Sequence, residues 1–307
     1  MTVSRVLNGK GRASEATKKR IFRATERLNY RRDPILSAVM SQIRSNRGIK
    51  IYTAIGILLQ SDTAITKADW KIDRLLKGID RAAKNLNLTL MRFSYQEDPD
   101  HIKEIARLME ARGIRTCLIL PTETSLIPWT KLMPKQQLVM VGNHCLDPEV
   151  SRVASDDYTN MLMLLRKIAV GKQQTTGLVL HEGRTTTGQQ QALTAYNSWK
   201  HLKDDQLIPA LRLNPQEPDL ARKWLVRHSP DQIILGGYDP SMLRLLEQLA
   251  SKPFKKVFCS LGPDQSGEMG LIECLEHIGE ISIRIGLKLQ TQNAISKPQT
   301  VLLPGYL

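Results

Sequence analysis

The sequence predicts an α/β protein made of two doubly wound parallel-sheet subdomains preceded by a partial all-α headpiece. Three observations carry this. From about residue 51, short and continuously apolar runs alternate with helical stretches, the pattern of parallel sheets covered on both faces. The runs are too many for one open sheet, and the pattern breaks near Ser155–Asp157. Finally, the net charge of +14 over 307 residues is concentrated at one end. Residues 1–50 hold 13 Lys and Arg against only Glu15, Glu26 and Asp33, a net +10 that leaves +4 for the rest.

The headpiece has its own signals. Ser14 followed by Thr17 suits a helix start, and Ile21, Ala24, Thr25 and Leu28 fall at helical spacing. A disordered basic tail needs no such apolar face. Arg44–Lys50 is polar, carries a glycine and reads as a linker.

Ile51–Leu59 then reads as a buried strand, Trp70–Leu86 as an amphipathic helix, Leu88–Phe93 as strand, Asp100–Ala111 as helix and Cys117–Leu120 as strand. Leu138–Val141 is strand and Tyr158–Val170 helix. Gly177–Leu180, Ala210–Leu213, Gln232–Leu235 and Lys256–Ser260 are strands interleaved with helices at Gly188–Leu202, Leu220–His228 and Ser241–Ala250. Ile272–Leu289 is a long helix and Thr300–Leu303 a closing strand. The expected division is a basic headpiece segment over 1–46 and a body over 47–307. Within the body, one subdomain is expected over about 50–155 plus 263–290, the other over about 156–262 plus 291–307.

Several function classes lack a signature. No apolar run approaches the roughly 18–20 residues of a membrane span, and the polar, basic start lacks an apolar signal region. Cys117, Cys145, Cys259 and Cys274 are far apart, which argues against a metal cluster or a disulfide framework and for a reducing, cytoplasmic compartment. Phosphate-loop, dinucleotide-binding, nucleophile-elbow and zinc-protease motifs are all missing, and the six histidines are scattered. The expectation is a non-enzyme without a cofactor.

Ligands of such folds bind beyond the carboxyl ends of the strands. That places Gln60, Ser61, Asp62, Thr122, Asn143, His144, His181, Glu182, Tyr238 and Asp239 at a candidate cleft. Trp70 and Trp129 are possible stacking faces or simply core. The doublet Asp156–Asp157 precedes a helix, where an aspartate commonly caps.

The opening TVSRVLNG (Thr2–Gly9), with Ser14, Thr17, Arg20, Ile21, Ala24 and LNY (Leu28–Tyr30), resembles the lactose-repressor (LacI/GalR) family of bacterial transcription regulators. The resemblance continues in VASDD (Val153–Asp157), GLIECLEHIGE (Gly270–Glu280) and PQTVLLPG (Pro298–Gly305). It implies a helix-turn-helix headpiece on a periplasmic-binding-protein-like body with a sugar-sized ligand in the cleft. It further implies a dimer on a near-palindromic operator. Arg5 would then reach base edges, with Thr2, Ser4 and Asn8 on phosphates. Tyr30 and Arg31 fall on the approach to the hinge helix and are counted with the DNA-binding residues. Val39 falls where the family wedges a leucine into the minor groove, or else makes a hinge-to-hinge contact. Val3, Val6 and Leu7 are headpiece core.

Two departures stand out. The family's first helix is missing from the chain as it begins at Met1, which fits either a misassigned start or a truncated protein. The second departure is at the ligand site: the stretch TTTGQQQALTAY (Thr185–Tyr196) lacks the family's arginine. Gln189, Gln190, Gln191 or Arg184 could take its place. Glu273 stands where a glutamine is usual. The expected ligand set is Gln60, Trp70, Thr122, Asn143, Asp156, Gln190 and Asp239. The expected function is a DNA-binding repressor controlled by a small effector of the carbohydrate class; the alternative is a metabolite-binding module without stable DNA binding.

Overall fold

The structure, a computed structural model, describes residues 6, 14–27, 54–60, 70–120, 127–143, 147–168, 174–182, 187–202, 207–236, 240–262, 265, 267–291 and 297–307. The chain forms two compact units, Met1–Ile49 and Lys50–Leu307. In the first, helix α1 spans Glu15–Arg27. Ser14 caps it, its hydroxyl accepting the Thr17 N–H at 3.3 Å. Val6 is buried, as a core residue should be, and Ile21 is half-buried, whereas Ala24 is exposed.

The second unit contains two lobes. The chain builds the first through β1 (Ala54–Gln60), α2 (Trp70–Asn85), β2 (Thr89–Tyr95), α3 (Pro99–Ala111), β3 (Thr116–Leu120), α4 (Trp129–Leu132), β4 (Gln137–Val141) and β5 (Ser151–Ser155). It crosses at Asp156 into α5 (Asp157–Ile168), β6 (Thr176–His181), α6 (Thr187–Leu202), β7 (Leu211–Leu213), α7 (Pro218–His228), β8 (Gln232–Gly236), α8 (Pro240–Leu249), β9 (Lys255–Phe258) and β10 (Met269–Gly270). It returns with α9 (Leu275–Thr291) and β11 (Thr300–Leu303).

Both sheets are parallel throughout, with strand orders β11-β5-β4-β3-β1-β2 and β10-β9-β8-β6-β7. Each has a separate apolar core on either face, which is the double winding expected. In the first lobe α2 and α9 cover one face through Ile72, Ile79, Ile278 and Ile283, and α3 and α4 the other through Ile102, Met109 and Trp129. In the second, α5 and α6 pack one face and α7 and α8 the other. Local signals agree with this. Asp98 caps α3, accepting the N–H groups of Asp100 and His101, with Pro99 opening the helix.

The closing segments differ from expectation. β11 enters the first sheet and not the second: Thr300–Leu303 pair with Arg152–Ser155, and the Asp156 N–H donates to Leu303 O at 3.0 Å. Conversely, β10 lies beside β9 in the second sheet, so the return to the first lobe comes after Gly270 and not at 263. The cause is α9, which is packed on the first sheet and delivers its following strand to that same sheet. β5, with its two serines, and the two-residue β10 lack the apolar run that marks a strand.

α2 and α9 approach backbone to backbone at Gly78 and Gly279. A Cβ on Gly78 would lie 1.9 Å from Glu276 O, and one on Gly279 2.3 Å from Leu75 O. No side-chain movement relieves a clash with backbone. Gly78→Ala should therefore cost about 1–3 kcal/mol, the usual cost of overpacking, read as a lower urea midpoint at unchanged slope; an unaltered midpoint would contradict this packing.

Candidate functional site

β1, β4 and β5 run parallel, so their carboxyl ends lie on the same edge of the first sheet, the edge from which the chain leaves after β5. Gln60, the last residue of β1, is buried. Just beyond β4, Gly142 has φ of 112°, a left-handed geometry that glycine adopts freely. It turns the chain so that Asn143, 7% exposed, donates through Nδ2 to Ser155 O and to Asp157 Oδ2, both at 2.8 Å.

The two aspartates of the doublet separate in role. Asp156 caps α5, its Oδ1 accepting the Thr159 N–H at 3.0 Å, so the carboxylate facing the crossing is Asp157 and not the expected Asp156. Adjacent residues at a helix start point about 100° apart, which accounts for the split. α6 abuts Asp157 at Gly188, where an added Cβ would lie 2.1 Å from Asp157 Oδ2. Asn143 Oδ1 and Thr187 Oγ1 are buried near this point and accept or donate no hydrogen bond among the described residues.

The return crossing carries a second tie. Glu273, 8% exposed, takes a charged hydrogen bond from Lys71 Nζ at 2.6 Å, joining the segment before α9 to the first turn of α2. Lys71 Nζ also lies 5.6 Å from the centre of the Trp70 ring, within cation–π range. Trp70 in turn lies against Gly262, beyond the end of β9 in the second lobe.

Other expected ligand residues fare differently. Gln190 is exposed on α6, and its neighbour Gln189 turns inward, donating to Gly236 O at 3.4 Å. The helical rotation between successive residues makes the two mutually exclusive. Trp129 is wholly buried and meets Tyr95 edge to face at 5.2 Å, which makes it core and not a stacking face. Thr122 and Asp239 lie outside the described residues, as do Thr2, Ser4, Arg5, Asn8, Tyr30, Arg31 and Val39. What is described of the basic segment is α1, whose Lys19, Arg20 and Arg23 are exposed. Lys71 and Gly188 carry no sequence signal of their own.

Residues 1–33 match the family described as bacterial regulatory proteins, lacI family. No curated protein sequence matches the chain. Among solved structures, a transcriptional regulator CelR–cellobiose complex aligns with 99% of this chain and 92% of its own at 14% identity and a TM-score of 0.64. The lac repressor dimer bound to operator and the anti-inducer ONPF aligns over the same shares at 15% identity and a TM-score of 0.62. The transcription regulator CcpA of Lactococcus lactis aligns with 82% of this chain and 96% of its own, at 12% and 0.60. At such identities the likeness is one of fold. The body thus has the two-lobed fold of lacI-family regulators.

The crossing of this two-lobed body is electrostatically unusual. Burial first, then the charge of Glu273, push the Asp157 carboxyl up to about 6, against the pull of Asn143 and Lys71. Burial acts to raise Glu273 as well, but the Lys71 ammonium more than reverses it and holds that carboxyl below its ordinary value. Two carboxylates therefore share one lysine, and Asp157 is the one that gives way. Because its folded-state value lies above the unfolded one, the folded chain binds the extra proton between about pH 4 and 6, and stability from this group falls as pH rises through that window. Asp157→Asn keeps an acceptor for Asn143 and removes the titration. Its stability relative to the unaltered chain should rise across pH 4 to 6 by on the order of 2 kcal/mol and level off above 7. Parallel urea curves at pH 4, 5, 6 and 7.5 measure this, and a difference independent of pH would refute it.

Proposed function

We propose that the protein is a DNA-binding transcription repressor that binds a near-palindromic operator as a homodimer and responds to a small effector in the cleft between its lobes. The observation that carries this is the lacI-family segment at residues 1–33, set in a first 50 residues of net +10 and joined to a two-lobed body. A basic headpiece on a near-neutral body is the electrostatic footprint of nucleic-acid binding. Arg5 is the base-reading residue in this proposal, with Thr2, Ser4 and Asn8 on phosphates, Tyr30 and Arg31 close to the backbone, and Val39 at the minor groove.

The effector site supported best is the crossing itself, with Gln60, Asn143 and Trp70. Buried polar atoms are normally satisfied, so Asn143 Oδ1 and Thr187 Oγ1, which have no hydrogen-bond partner among the described residues, are bonding positions for a hydroxyl-bearing ligand such as a carbohydrate. A ligand bonding both lobes favours one lobe arrangement, and its differential affinity for the two arrangements sets how far operator binding shifts. The protein acts by binding, in the cytoplasm, and not by turnover.

The test is selection of binding sites from fragmented genomic DNA with the full chain, followed by mobility shifts on the selected fragments at rising salt. Expected are two half-sites related by symmetry and a log–log salt slope of about −0.9 per phosphate neutralised. Arg5→Ala should weaken the selected site by about 1–3 kcal/mol and relax the base preference at one position per half-site. Salt-insensitive binding, or no enrichment at all, would leave a metabolite sensor without DNA binding as the reading.

A further inference from the structure

We propose that the first crossing between the lobes is a proton-operated latch: with Asp157 neutral the lobes are held as in this structure, and its ionisation loosens them. Asp157 stands where the two lobes meet. It opens α5 of the second lobe, and Asn143, beyond β4 of the first, donates to its Oδ2 at 2.8 Å. From the second lobe, Gly188 at the start of α6 abuts the same oxygen, so closely that an added Cβ would lie 2.1 Å from it.

The charges around this carboxyl balance only when it is neutral. Those facing it are Glu273 on the return crossing and Lys71 of α2, with the Cys259 thiol beyond β9 as a further titratable group. Burial pushes Cys259 up to about 12, so it stays neutral, and Lys71 is committed to Glu273 at 2.6 Å. An ionised Asp157 therefore sets two carboxylates on one ammonium, and the excess charge is offset only by water. Water reaches Oδ2 when Asn143 or Gly188 draws back, which parts the lobes. The neutral acid removes the excess charge and adds a hydrogen. Asn143 Oδ1, which can only accept, is buried without a partner among the described residues. A carboxylic acid beside it has a hydrogen to give, where a carboxylate has none. The closed arrangement thus binds the proton more tightly than the loosened one, which is the condition for a proton to shift the balance between them.

Trp70 of the first lobe lies against Gly262 of the second and reports their contact. The test is its bimolecular acrylamide quenching constant, read from pH 5 to 7.5 as the difference between the full chain and a Trp70→Phe variant. The constant should rise with pH along a single-proton curve centred near pH 6. Asp157→Asn stays neutral and can offer Asn143 a hydrogen, so it should hold the constant at its acid value throughout. Glu273→Gln frees Lys71 for Asp157 and should bring the midpoint down to about pH 5 or lower. If circular dichroism shows that Glu273→Gln does not fold, Asp157→Asn alone decides. A constant that does not change with pH overturns the latch. So does a rise that persists in Asp157→Asn, as titration of a histidine would give, or a midpoint unmoved by Glu273→Gln. None of these readouts involves DNA or an effector, so their failure leaves the repressor reading where it stands.

Discussion

Two part-buried polar ties, Asn143 on Asp157 and Lys71 on Glu273, hold the places where the chain passes between its lobes. Each tie joins a first-lobe element to a crossing segment, and together they bring two buried carboxylates near one ammonium that is partly open to solvent. Such groups cannot be separated without leaving a charge stranded, which is costlier than never having buried it. The arrangement is therefore fixed by the penalty for disrupting it more than by any net gain in stability. Gly188 sharpens the constraint, since its lack of a side chain is what lets α6 reach Asp157 at all.

Much of the fold was readable because double winding leaves its mark in composition. Strands covered on both faces, such as Thr116–Leu120 and Gln232–Gly236, are apolar without alternation, and helices such as Trp70–Asn85 show one apolar stripe. What escaped notice was short or polar. β5 and β10 are held by their neighbours and not by their own residues, and the sheet that β11 joins depends on where α9 packs. The positions of Gln60 and Asn143 at strand ends were legible, because a strand's bounds follow from its apolar run. The site was not legible at Lys71 and Glu273, whose partnership spans some two hundred positions and follows no local pattern. The doublet Asp156–Asp157 announced a carboxylate, yet only helix geometry decides which of the two caps and which turns inward.

The headpiece and body speak to function in different ways. The headpiece does so through sequence: residues 1–33 match the lacI family of bacterial regulatory proteins, and the helix within them presents Lys19, Arg20 and Arg23 to solvent. The body does so through form, since identities of 12–15% preserve the fold while leaving the lining of the cleft free to change. Trp129 illustrates that freedom. An aromatic that could have lined a binding face instead fills the core beside Tyr95.

The sheet order also bears on how the chain comes off the ribosome. The second lobe is one uninterrupted stretch, from α5 to β10, and has all its strands once residue 270 has emerged. The first lobe, although begun earlier, lacks both its covering helix α9 and its edge strand β11 until the last residues are made. During synthesis its sheet face carries Ile55, Leu118 and Val139 with α2 but without α9, the second of its two covering helices. The nascent protein thus completes its later half first, and its earlier half is the one that stays exposed and in need of protection against aggregation.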